Sequence, residues 1–216
     1  MSESDRNRKR GFVVRWILLC GVGLGAGLSV GLGVSAPIEA VVGMMLVAPI
    51  VMVIAGSLLG AVQWLAVWRS PRAGALWVGA SALGFGLGMT LGVVALELIG
   101  RAFTGEQLRL VTMDPVGRFF GLALAGTMAG LAVGAAQRVA LRRVTAISGR
   151  WILMSAAGFG LGLPAGSLTA DLLLGGLRSP GGFAAFLGVA GLVIGALTVK
   201  GAQGIAAGLP VRSAAP

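Results

Sequence analysis

The sequence predicts an all-α integral membrane protein: a six-helix bundle built from three repeated two-helix hairpins in a quasi-threefold arrangement. Three observations predict it. Hydrophobic residues make up 56% of the 216 and charged residues only 11%, where a soluble domain carries about 25% charged residues. Apolar stretches of about 20 residues recur along the chain, each long enough to cross a bilayer. A frame of one tryptophan and four glycines also occurs three times. Trp16 is followed by Gly23, Gly25, Gly27 and Gly31, and the set recurs from Trp77 after a shift of 61 and from Trp151 after a further 74. Such self-similarity is the signature of a repeated structural unit.

Taken in order, residues 1–11 read as a basic, disordered cytoplasmic tail. Residues 12–205 read as the transmembrane domain, with repeats at about 12–69, 73–143 and 147–205, and residues 206–216 as a second tail. Helix 1 is expected from Phe12 to Val34; its basic start and Val34-Ser35-Ala36 resemble a signal peptide with a cleavage site. Pro37 directly after the cut and the repeat frame within the helix favour retention. Helix 2 is expected from Val41 to Val67, with Pro49 tolerated inside it by neighbouring helices. Helix 3 follows from Ala75 to Ile99. Arg101–Gly117 is the long loop, with a short amphipathic helix near Glu106–Val111. Helix 4 is expected from Arg118 to Leu141, helix 5 from Trp151 to Leu174, and helix 6 from Gly182 to Ala202.

The returning helices repeat as well. Gly56, Gly60 and Gln63 recur as Gly130, Gly134 and Gln137 after 74 residues, and as Gly191, Gly195 and Thr198 after a further 61. The glycines of each outgoing helix (Gly23, Gly27, Gly31; Gly84, Gly88, Gly92; Gly158, Gly162, Gly166) are four apart and form a thin stripe. Removing side chains there lets backbones approach, and van der Waals contact replaces the hydrophobic drive that lipid does not supply. The middle glycine, such as Gly86, lies about 200° round the helix and serves a second neighbour. The tryptophans at the helix starts read as interfacial anchors.

Charge gives orientation and excludes function classes. The net charge is +10, and with six helices thirteen of the seventeen basic residues fall on the side of the termini. The positive-inside rule makes that side cytoplasmic, in a bacterial inner membrane. The same rule accounts for the charge without nucleic acid as a partner. The chain has no histidine, which removes histidine metal sites and histidine acid–base chemistry, and its one cysteine excludes an internal disulfide. No cofactor motif is present, because the glycines lie in apolar helices with no preceding strand.

Several polar positions are candidates for function. Gln63, Gln137 and Thr198 lie about 9 Å inside the membrane boundary, and Cys20, Ser81 and Ser155 come one turn after the tryptophans, at about 6 Å. They read either as interhelical hydrogen-bond partners or as a polar ring about the pseudo-axis, with packing the favoured reading. Glu97 and Asp171 are repeat-equivalent and form a candidate outer acidic pair. Arg138 and Lys200 lie near the cytoplasmic boundary, where they either snorkel or hold an anionic lipid head group.

Gly60-Ala61-Val62-Gln63-Trp64-Leu65, then Arg69, then Trp77 and its glycines carry a resemblance to uncharacterised bacterial multipass membrane proteins with repeated GxxxGxxQWLxLRR-type hairpins. The likeness spans most of residues 12–205 in degenerate form, with Arg138 in place of the second tryptophan and both Gln and Arg lost in the third unit. It implies fold and location only. Mitochondrial carriers share a three-times-two plan, but their PxDxxK signature is absent. The function expected is a non-enzymatic structural, assembly or lipid- or partner-interacting membrane protein, its partners being the bilayer, an anionic lipid or another membrane protein. A small-solute or ion transporter with a polar ring is the alternative.

Overall fold

The computed structural model describes residues 3–42, 44–67, 71–104, 113–145, 147–173, 176–177 and 179–208. Its six helices are α1 (Glu3–Val42), α2 (Met44–Val67), α3 (Pro71–Thr104), α4 (Pro115–Leu141), α5 (Gly149–Leu173) and α6 (Pro180–Gly208). Every one contains a stretch long and apolar enough to cross a membrane, and no strand is present among the described residues. The chain is therefore an all-α protein of multipass membrane type.

Each helix packs on its sequence neighbours, and α6 closes back on α1, so the six form a closed ring. Glycine sets the order. Gly23, Gly27 and Gly31 of α1 lie against Leu59, Ala55 and Val51 of α2. Gly84, Gly88 and Gly92 of α3 meet Val133, Ala129 and Ala125 of α4, and Gly158, Gly162 and Gly166 of α5 meet Ile194, Ala190 and Phe186 of α6. A Cβ placed at Gly88 would lie 2.5 Å from the Ala129 Cα, so the backbones touch across this seam. The glycines of the returning helices make the other seams. Gly56 and Gly60 meet Ser81 on α3, Gly130 and Gly134 meet Ser155 on α5, and Gly191 and Gly195 meet Cys20 on α1. The middle glycines face the remaining neighbour: Gly25 faces Leu187, Gly86 faces Val53 and Gly160 faces Thr127.

Several element ends differ from the sequence expectation; α3 runs from Pro71 to Thr104 and α4 starts at Pro115, so both ends of the expected loop Arg101–Gly117 are helical. α1 begins at Glu3 and not near Phe12, so the segment expected to be a disordered tail is helical over its described part. Its Glu, Arg and Lys residues are good helix formers, and extending an existing helix adds a hydrogen bond without a new nucleus. α1 also continues through Pro37 to Val42, and α6 continues past Ala202 to Gly208. The amphipathic helix expected at Glu106–Val111 lies outside the described residues. α4 starts at Pro115 because Asp114 caps it, its Oδ1 accepting from the amides of Val116 at 2.9 Å and Gly117 at 3.0 Å. Proline at the first helical position needs no amide partner.

Candidate functional site

The most organised polar region surrounds Trp16, Trp77 and Trp151 of the three outgoing helices. A tryptophan here reads from sequence as an anchor facing the lipid interface. The structure instead buries all three, with exposures of 0%, 1% and 3% for Trp16, Trp77 and Trp151. Their ring centroids are 5.6–6.5 Å apart in all three pairings, so the indoles meet one another across the centre of the bundle. Tilted and edge-on arrangements at these separations suit the aromatic quadrupole. Phe12 stacks on Trp16 at 6.1 Å. Eight residues along each helix, Leu24, Phe85 and Phe159 are buried, and the two phenyl rings lie 5.5 Å apart.

A buried indole N–H needs an acceptor, and this requirement corrects the anchor reading. Trp77 Nε1 donates to Gln63 Oε1 at 3.3 Å, and Trp151 Nε1 donates to Gln137 Oε1 at 2.8 Å. Trp16 Nε1 donates to Thr198 Oγ1 at 3.0 Å, so the cycle closes through α6 and α1. Each acceptor thus sits on a returning helix and takes the indole of the next outgoing helix. The glutamine amides also reach back to their own hairpins. Gln63 Nε2 donates to Cys20 Sγ at 3.4 Å, and Gln137 Nε2 donates to Ser81 Oγ at 2.9 Å. Ser81 in turn donates to the Trp77 carbonyl at 2.8 Å.

The third hairpin departs from this pattern for a steric reason. Thr198 is too short to reach the outgoing helix of its own hairpin while it accepts from Trp16, and its hydroxyl donates instead to the Ile194 carbonyl of its own helix at 2.7 Å. Ser155, expected with Cys20 and Ser81, joins no hydrogen bond of the belt among the described residues; it packs beneath Gly130 and Gly134. Gln63, Gln137 and Thr198 therefore stand around the tryptophans, each tied to one indole, and the rings occupy the middle.

The remaining candidates are dispersed. Glu97 and Asp171 do not share a site. Glu97 lies 4.0 Å from Arg101 one turn on, in a pair whose arginine is about half exposed and whose glutamate is mostly covered. Asp171 accepts from Arg118 Nη1 at 3.1 Å, with both side chains more than four-fifths buried, so α5 is tied to α4 at the end opposite the tryptophans. Arg118 Nη2 also donates to the Met113 carbonyl at 3.3 Å. The sequence reading missed this clasp, because 53 residues separate its partners. Arg138 and Lys200 both lie by the start of α5. Arg138 approaches Gly149 at the start of α5, whereas Lys200 lines a cleft between α5 and α6 together with Arg150. No family model, curated protein or solved structure matches this chain.

Proposed function

We propose that the chain is a non-enzymatic protein of the bacterial inner membrane, with both termini cytoplasmic, that acts in a structural or assembly role by packing against lipid or a partner membrane protein. The observation that supports this reading most is the closure of the bundle axis. An open solute path needs a passage along the axis that water or the solute can occupy. Here three indoles in mutual contact occupy the centre, and the belt of Gln63, Gln137 and Thr198 spends its acceptors on their N–H groups. The outer surface carries many exposed leucines and valines, among them Leu83, Leu87, Leu153 and Leu172, which suits contact with acyl chains or with an apolar partner face. The likeness to multipass proteins with GxxxGxxQWLxLRR hairpins agrees with this reading in fold and location.

Purified protein in liposomes tests it. The expected result is that fluxes of protons, potassium and small neutral solutes equal those of protein-free vesicles. Flux above that background, lost in Gln63→Leu/Gln137→Leu protein that remains folded, would favour the transporter reading.

A further inference from the structure

At the tryptophan end, a cleft of about 250 Å³ opens between the start of α5 and the last turns of α6. Arg150 and Lys200 line it with Ser148, and no lining residue is acidic. Trp151, Met154 and Ile205 form an apolar wall. We propose that this cleft binds a phosphate group, carried in the membrane by the headgroup of an anionic lipid. Arg150 offers the forked donors that match phosphate oxygens, Lys200 a second point charge, and Ser148 a hydroxyl. The apolar wall gives the glycerol and first methylenes of a lipid a surface, for which free phosphate has no use. The volume falls below the roughly 300–1,000 Å³ of pockets that enclose whole drug-sized ligands, which suits a headgroup.

The third unit differs in sequence from the other two at two positions that line this cleft. At the repeat position of Gly204 the other two units have Arg69 and Arg143 in sequence, and at that of Gly201 they have Ala66 and Ala140. A Cβ at Gly201 would lie 2.6 Å from Trp151 Cε3, so glycine lets α6 close on the indole and form the floor. A Cβ at Gly204 would meet nothing within 4 Å, so the space above the floor is open. Lys200 is the candidate lipid contact expected from sequence. Its companion is Arg150 and not Arg138, which lies outside the lining.

The inference rests on one part of the proposed function, that this end of the bundle lies at headgroup depth. Native mass spectrometry of the full chain in detergent, titrated with phosphatidylglycerol, phosphatidylcholine or inorganic phosphate, tests it. Wild type should retain phosphatidylglycerol over phosphatidylcholine. Arg150→Gln/Lys200→Gln should weaken that retention on the order of tenfold, and Arg142→Gln/Arg143→Gln, with the same change in charge outside the cleft, by less than about twofold. Gly204→Leu fills the open space without changing charge and should cause the same loss as the cleft pair. Inorganic phosphate that binds saturably and is lost in the same variants, without lipid preference, would support the phosphate chemistry and assign it to a soluble source. Equal losses in both charge pairs, or unchanged retention in the cleft pair and in Gly204→Leu, would overturn the site. Solute flux with intact cleft-dependent retention would overturn the non-transport reading and leave this site standing.

Discussion

Gln137 shows how one side chain joins three helices. It is fully buried on α4, accepts from Trp151 on α5 at 2.8 Å and donates to Ser81 on α3 at 2.9 Å. Considered as a single interhelical bond in a membrane, such a residue is worth about 0.6 kcal/mol. Its removal costs more than that, because it leaves the buried indole N–H of Trp151 without an acceptor, a penalty of about 1–3 kcal/mol. Gln137→Leu is therefore expected to destabilise the folded protein by that amount in detergent unfolding. Gln63→Leu should cost less, since its bonds are 3.3 and 3.4 Å and one ends on sulfur, a weak acceptor. Adding Trp151→Phe to Gln137→Leu should cost less than the sum of the two single changes, because phenylalanine has no N–H to strand. Additive losses would mean that the bond contributes nothing. The pairing of Gln137 with Ser81 was legible from sequence as matched depth on adjacent helices. The role of the tryptophans was not: at the start of an apolar helix they read as interfacial anchors, and only closure of the ring brings the three together in the core.

At the scale of the element, glycine spacing carries the packing, and this was the most legible part of the chain. A period of four places residues on one narrow stripe, so sequence alone identifies which face comes close, although not which neighbour fills it. The structure assigns the neighbours, own hairpin for the outer three glycines and preceding helix for the middle one. Gly88→Leu should therefore lose folded protein, because a Cβ would lie 2.5 Å from Ala129 Cα and backbone has to move, at a cost of at least about 1–3 kcal/mol. Gly79→Leu on the same helix should be tolerated, since a Cβ there meets nothing within 4 Å. Detergent-resistant thermal stability of both variants measures the contrast, and equal stability would place the Gly84–Gly92 stripe at the lipid face.

The start of α4 gives a prediction in pH. The amide of Gly117, with that of Val116, holds the Asp114 carboxyl below its ordinary value of 3.8. A depressed folded-state pKa means that the carboxylate stabilises the helix start fully above the unfolded value. That contribution fades as pH falls through the lowered one. Protection factors of the Val116 and Gly117 amides should then be flat above about pH 4 and drop below it. Asp114→Asn keeps a capping side chain and should remove the pH dependence.

For the whole molecule, an even number of helices places both termini on one side, and closure of α6 on α1 makes the bundle continuous around its axis. Six spans were legible because hydropathy and length are local properties. Closure was suggested by the recurrence of the frame, and the geometry that realises it is the cycle of indole bonds, whose last member links Trp16 to Thr198 across 182 residues. Such a link has no local sequence signal: the repeat marks Thr198 as the counterpart of Gln63 and Gln137, but nothing near it in the chain names Trp16 as its partner. The clasp between Arg118 and Asp171 sits at the opposite end from the tryptophans, so the two ends differ in chemistry: indole and amide at one, an ion pair at the other. Thirteen of the seventeen basic residues belong to the tryptophan end and the termini when the chain is threaded through six spans, and that asymmetry sets the expected direction. Reporter fusions after Gly105, between α3 and α4, should report the periplasmic side, and fusions after the last residue, Pro216, the cytoplasmic side. Fusions between α2 and α3 should agree with the C-terminus. Opposite reports from Gly105 and the C-terminus with the signs exchanged would invert the orientation while keeping six spans. The same report from both would break the six-span threading, and with it the shared depth of Trp16, Trp77 and Trp151.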